Sequence, residues 1–211
     1  MRIGIDEAGK GPVLGPMFVA GVRVDGQLPD GVCDSKQLDN DSINELASDL
    51  RSKPSVEVDM VKLSSSDIDL CKSINELILQ SVIQLIQSLG NSTETVIIDG
   101  VSKDIEQYKT RIEEELEDDY TIVVEHRADE AYDVVGAASI IAKYHREEEM
   151  NRIGGSYEAD IGSGYPSDEK TIQFIKEYLK SGGDFPNCTR ESWDTARRIK
   201  AETEQTGLTD F

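Results

Sequence analysis

Arg2-Ile3-Gly4-Ile5-Asp6-Glu7-Ala8-Gly9-Lys10-Gly11-Pro12-Val13-Leu14-Gly15-Pro16 opens the chain. Residues 2–6 read as a short apolar strand that delivers two adjacent carboxylates, Asp6 and Glu7, to the edge of a glycine turn. Neighbouring strand residues point to opposite faces. Asp6 can therefore face a cleft while Glu7 reaches it from the turn. Glycines beside the pair let backbone N–H groups come close to a ligand. A hard metal ion next to a phosphate suits that arrangement.

The same residues nearly match a P-loop, with Gly4, Gly9 and Lys10 in register. Gly11 stands where the magnesium-ligating Ser or Thr belongs, and Asp6 and Glu7 would repel the phosphates such a loop must hold. An ATP-hydrolysing function fails on those grounds. Taken alone, Asp-Glu before a glycine also fits a strand and an ordinary surface turn, so the rest of the chain decides.

Length favours one domain with a small appendage at 211 residues, and the apolar runs supply a core. No apolar stretch approaches a membrane span, and the first residues lead straight into a strand, so neither a membrane segment nor a signal peptide is expected. Cys33, Cys71 and Cys188 are odd in number and far apart, as in a reduced, cytoplasmic protein. Acidic residues number 42 against 22 basic, for a net charge of −20. They are spread along the chain, which otherwise shows regular apolar periodicity, so disorder explains them poorly. A fold adapted to very high salt explains them better, because self-repulsion is screened within about 3 Å at 1 M.

The pattern predicts five strands, at 2–6, 13–24, 56–63, 95–98 and 120–124, the first two forming a hairpin. Helices are expected at 41–52 with Asp41 as cap, through most of 64–89 with Gly90 as its end, and at 103–118. Further helices are expected at 131–151, 167–181 and 189–204, with a loop at 154–163. The fold class is α/β: a mixed five-stranded sheet flanked by helices. The expected division is a catalytic domain at 1–165, a C-terminal helical extension at 166–204 and a flexible tail at 205–211.

Asp99 and Asp129 each follow an apolar strand and open a loop leading to a helix. Sites in open α/β sheets form at the carboxyl ends of parallel strands, the position that Asp6 and Glu7 occupy on the first strand. Four carboxylates from three elements can converge there. Their mutual repulsion would raise their pKa values unless divalent cations were present, and oxygen-only ligation favours Mg²⁺ or Mn²⁺ over zinc. Two ions about 3.5–4 Å apart can clamp a phosphodiester. Alone, Asp99 could be a turn aspartate, and Asp129 a helix cap.

Further along, Asp34-Ser35-Lys36, Ile97-Ile98-Asp99-Gly100, Ala128-Asp129 with Val134 to Lys143, Gly162 to Asp168, and Arg190-Glu191-Ser192-Trp193 complete an ordered set of motifs. Together with the opening stretch they closely resemble ribonuclease HII, the type 2 ribonuclease H, in its archaeal form. The resemblance runs from residue 3 to about 195. It implies a ribonuclease H-like fold and an endonuclease that cuts the RNA of RNA–DNA hybrids and 5′ of ribonucleotides embedded in duplex DNA. The expected products carry 5′-phosphate and 3′-hydroxyl ends. On the family pattern Asp6, Glu7, Asp99 and Asp129 are the catalytic acids and hold two ions, Mn²⁺ or Mg²⁺. Gly9, Lys10, Gly11 and Tyr165 would inspect the 2′-hydroxyl, which tells RNA from DNA. Lys36 and Lys143 fall on positions that can meet phosphates. Combined with the acidity, the resemblance implies a halophilic archaeal cytoplasm, and a monomer is expected.

Lys10 departs from the family, which usually carries Gly-Arg-Gly at that turn; lysine keeps the charge but loses the planar fork. Arg146, Arg190, Arg197 and Arg198 read either as a duplex-binding rim or as surface residues serving solubility and helix pairing. His126 and His145 read as structural or surface residues rather than ligands. At the end of the chain, Gln205, Leu208 and Phe211 have the spacing of a sliding-clamp-binding box, against the alternative of a frayed polar tail. A non-cleaving RNA–DNA hybrid-binding protein on the same fold is the alternative function.

Overall fold

The computed structural model describes residues 1–32, 38–91 and 93–209, with side chains to residue 205. Its chain order is β1 (Arg2–Ala8), β2 (Met17–Val24), α1 (Asn40–Ser52), β3 (Val56–Leu63), α2 (Ser65–Leu70), α3 (Ile74–Leu89), β4 (Thr95–Asp99), α4 (Ile105–Glu115), β5 (Thr121–Glu125), α5 (Ala128–Ala131), α6 (Asp133–Tyr157), α7 (Glu169–Gly182) and α8 (Asp194–Thr209). The strands lie in one five-stranded sheet in the order β3-β2-β1-β4-β5. β1 runs antiparallel to β2 and parallel to β4, and β4 runs parallel to β5. The sheet is mixed, as the sequence predicts.

Local signals account for most of the boundaries. The Asp39 carboxylate, rather than the expected Asp41, caps α1 by accepting the Ser42 N–H at 2.9 Å. Ser64 and Asp67 form a reciprocal capping box that starts α2. Gly90 closes α3, its N–H donating to the Ile86 carbonyl at 2.8 Å. Expectation and structure coincide on β3 at 56–63.

Several boundaries move. β1 continues to Ala8, so Glu7 is a strand residue paired with Val19 and not part of the turn. β2 begins only at Met17. Residues 13–15 instead bond to distant backbone: the Val13 and Leu14 N–H groups donate to the Gly164 carbonyl, and the Gly15 N–H donates to that of Cys188. α6 runs on to Tyr157, through the glycine pair at the start of the expected loop. α8 runs to Thr209, so 205–209 is helical where a flexible tail was expected.

The chain divides into two compact units. The first comprises 1–8, 18–62 and 72–145; the second comprises 9–17, 63–71 and 146–211. The boundary expected after residue 165 falls inside the second unit. In the first, one sheet face carries Ala20, Val22, Val24 and Ile97 against Ile43, Ala47 and Leu50 of α1 and the small apolar residues of α6. Gly4 is what lets α6 lie so close: a Cβ there would collide with the Val134 carbonyl. The second unit has its own core, built from Val13, Leu14, Met150, Ile161, Phe174, Ile175, Leu179 and Ile199. Among the described residues no helix is long and apolar enough to cross a membrane.

Candidate metal centre and the Gly9–Gly11 turn

Parallel pairing of β1 with β4 reaches Ile5 and Ile98. One step beyond come Asp6 and Asp99, so the register itself sets two carboxylates at the same sheet edge. Gly4 and Ile97 pack towards α6, and the two-residue alternation puts Asp6 and Asp99 on that face too. Glu7 starts on the opposite face, yet its carboxylate joins them. Asp6, Glu7 and Asp99 each offer an oxygen, and these oxygens lie within 4.8 Å of one another.

Neighbouring groups hold the acids in place. The Asp6 carboxylate accepts the Glu7 N–H at 2.8 Å and a hydrogen bond from the Ser139 hydroxyl, on the buried face of α6. Asp99 accepts the Ala128 N–H at 2.8 Å, tying the end of β4 to the first residue of α5. Arg127, in the left-handed region at φ 60°, turns the chain from β5 into that short helix. Asp129 lies on α5, is buried, and falls outside the three-residue group, although its charge acts on Asp6. Burial first, and then the charges of Asp99 and Asp129, push the Asp6 carboxyl up to about 7. A cluster of acids around so deeply buried a member disfavours the charged form of that member. Its all-oxygen donor set fits a hard divalent ion.

β1 leads directly into the Gly9–Gly11 turn, which belongs to the second unit. Gly9 has φ +89°, and a Cβ built there would lie 2.8 Å from Arg146 Cδ and 2.9 Å from the Pro16 carbonyl oxygen. No other residue fits that position. A Cβ at Gly11 would meet the Tyr165 ring at 3.5 Å, so turn and tyrosine are neighbours. Tyr165 is 41% exposed, presenting an open aromatic face. Arg146 stacks over its ring with 5.2 Å from guanidinium carbon to centroid, and donates to the Ser163 carbonyl at 2.6 Å.

Among the arginines, the expected exposed rim is corrected at two positions. Arg146 is 8% exposed and Arg190 is fully buried, behind the turn rather than on a rim. Their sequence neighbours, mostly polar or charged, carry no signal of this; only long-range packing places them. Arg197 and Arg198 are exposed, pairing with Asp194 at 2.7 Å and Glu202 at 3.9 Å. His126 bonds through Nδ1 with the Gly100 carbonyl at 2.9 Å, and His145 packs between Phe18 and Tyr144, both in structural settings. Lys10 and Lys143 are half-buried. Lys36, within 34–36, lies outside the described residues, as does Phe211; of the Leu208 side chain nothing is described. Ser139 is the residue that sequence reasoning missed at the carboxylate cluster; its place in the small-residue run of α6 gave no sign of the carboxylate it meets.

A family model described as ribonuclease HII matches residues 3–196. Ribonuclease HII of the halophilic archaeon Natronomonas pharaonis is 42% identical over 99% of this chain and 98% of its own. Among solved structures, the ribonuclease H2 of Pyrococcus horikoshii is similar with a TM-score of 0.88 at 34% identity, covering 97% of this chain and 99% of the other. The ribonuclease HII of Archaeoglobus fulgidus, solved in complex with PCNA, has a TM-score of 0.83 at 37% identity over 94% of this chain and 96% of the other. With a shared fold along nearly its whole length, the chain belongs to the ribonuclease HII family of endoribonucleases.

Proposed function

We propose that the protein hydrolyses the RNA strand of RNA–DNA hybrids and cuts 5′ of ribonucleotides embedded in duplex DNA, leaving 5′-phosphate and 3′-hydroxyl ends. The observation that carries this reading is the meeting of Asp6, Glu7 and Asp99 oxygens within 4.8 Å at one sheet edge. Those three, with Asp129, would hold two divalent ions, Mn²⁺ or Mg²⁺. When bound, such ions supply a water of lowered pKa and positive charge at the leaving oxygen. The chain contributes the scaffold. Ser139 and the Glu7 N–H orient Asp6, the Ala128 N–H orients Asp99, and packing of α6 on β1 keeps bulk water away from Asp6.

Discrimination falls to Gly9, Lys10, Gly11 and Tyr165, whose backbone and open ring suit a 2′-hydroxyl and the adjoining sugar. Lys10 and Lys143, with Lys36, would meet phosphates as point charges. The strong acidity and the likeness to a halophile's enzyme support a protein working as a monomer in a salt-rich archaeal cytoplasm. Few ionic phosphate contacts survive there, because affinity falls with a log–log slope of about −0.9 per contact. Hydrogen bonds, stacking and the metals then carry substrate binding. The PCNA complex of the A. fulgidus relative supports a sliding-clamp role for Gln205, Leu208 and Phe211. Deleting 205–211 should abolish clamp binding and leave cleavage of short duplexes intact.

The test is a cleavage map on a duplex with one embedded ribonucleotide, using wild type and Asp99→Asn with Mn²⁺ or Mg²⁺ at several salt concentrations. A single cut 5′ of the ribonucleotide, lost in the variant, is expected. Tight binding with no cut by wild type would instead mark a hybrid-binding protein.

A further inference from the structure

Arg190 is fully buried, yet its hydrogen-bond partners are carbonyl oxygens rather than carboxylates. Nη2 donates to the Gly9 carbonyl at 2.6 Å, Nη1 to that of Lys10 at 3.0 Å, and Nε to that of Gly15 at 3.0 Å. One planar fork thus grips both ends of the Gly9–Gly15 loop. The backbone reinforces it: the Arg190 N–H donates to the Val13 carbonyl at 2.9 Å, and Leu14 pairs with Thr189 as an isolated bridge. Asp69 fixes the segment that carries the arginine by accepting the Glu191 and Ser192 N–H groups, both at 2.9 Å, and the Ser192 hydroxyl at 2.6 Å. Trp193 flanks the guanidinium, 5.3 Å from its carbon.

In a trans peptide the carbonyl and the following N–H point in opposite directions. Drawing the Gly9 and Lys10 carbonyls onto Arg190 therefore turns the Lys10 and Gly11 N–H groups away from it. We propose that Arg190 is a positioning residue: it sets the two peptide planes of the Gly9–Lys10–Gly11 turn so that their N–H groups face the substrate's 2′-hydroxyl, and so fixes selectivity for ribonucleotides without touching the nucleic acid. The proposal rests on the turn being the 2′-hydroxyl sensor. It also accounts for the tolerance of lysine at position 10, because the donors aimed at the substrate are backbone groups rather than that side chain. Lysine could not replace Arg190 itself. Its single ammonium cannot span three carbonyls with fixed geometry.

The experiment compares equilibrium binding of two duplexes of one sequence, all-DNA or carrying a single ribonucleotide, in Ca²⁺ with product analysis confirming uncut strands. Wild type should prefer the ribonucleotide duplex. Arg190→Lys should cut that preference by about tenfold or more, the loss expected for breaking a charged hydrogen-bond set, while Mn²⁺ affinity stays unchanged. Asp69→Ala, at a half-buried position that holds the Arg190 segment, should cut it about threefold, as for one weakened hydrogen bond. Methylguanidinium should restore part of the preference to Arg190→Ala. An unchanged preference in folded Arg190→Lys overturns the proposal, as does parallel loss of Mn²⁺ affinity. If Arg190→Lys does not fold, an unchanged preference in Asp69→Ala overturns it. A wild type without preference does so too. A wild type that discriminates but leaves the duplex uncut in Mn²⁺ refutes the hydrolytic function alone, and the Arg190 comparison remains decisive.

Discussion

Two charge clusters that involve nearby stretches of the chain, 6–7 and 9–15, meet burial in opposite ways. Asp6, Glu7 and Asp99 bring three carboxylates together, and Asp6 is held well above the usual carboxylate range by burial. Arg190 is at least as deeply buried, and its charge is spread over three carbonyl dipoles supplied by the loop it grips. Desolvation, and then the nearby Arg146, lower its pKa to about 10, so it stays protonated at neutral pH. The arginine cluster is complete as folded. In the carboxylate cluster, ionisation of Asp6 is strained by burial and by its acidic neighbours, and a perturbed acid of that kind marks a candidate site.

The largest expected effect comes from disabling the carboxylate cluster. Asp99→Asn should lower hydrolysis by at least about 10³-fold, as loss of a group at the reacting centre typically does, read by gel assay on a single-ribonucleotide duplex. Activity within tenfold of wild type would break the contrast.

Metal removal should expose the strain directly. Asp6 has a folded-state pKa raised from 3.8 to about 7, so the folded state binds a proton more tightly than the unfolded chain. That contribution to stability is complete below pH 3.8 and is lost as pH rises through about 7. In chelator, stability should thus decline across that window by an amount on the order of a few kcal/mol. Asp6→Asn should flatten the decline, as followed by thermal melts from pH 4 to 8.

The arginine cluster should respond in the opposite sense. Arg190→Ala strips three buried carbonyls of their partner and should cost about 3 kcal/mol, a fall in Tm that added Mn²⁺ does not repair. If Mn²⁺ restored it fully, the two clusters would not be independent in the way described. A smaller effect is expected at Ser139→Ala, which frees Asp6 to reorient. Metal affinity or activity should fall about 10–100-fold, as for other groups that orient ligands, with Tm nearly unchanged in chelator. The mildest is the response to dilute buffer, where the −20 charge is no longer screened. Tm should drop by several degrees relative to molar salt, and equal melting at both would remove the high-salt adaptation.

Legibility in the sequence followed the same division. The carboxylate edge was readable because it depends on local signals, namely apolar runs that lead into Asp6 and Asp99 and the glycines that follow. The sheet was readable for the same reason. What stayed hidden depends on partners far away in sequence. Val13 and Leu14 look like strand residues, but their N–H groups go to the Gly164 carbonyl, so β2 starts later. Arg190 looks like a surface cation because its partners, Gly9, Lys10 and Gly15, lie some 175 to 181 positions away. Ser139 was passed over because a small residue on an apolar helix face carries no mark of the carboxylate it meets.

Calorimetric titration of Mn²⁺ into wild type and Asp6→Asn at neutral pH and molar KCl tests the central claim most directly. The account predicts binding by wild type accompanied by proton release, because Asp6 must give up its proton to become a ligand, and at least tenfold weaker binding with less proton release by the variant. Equal affinity and equal proton release in the two proteins would contradict it.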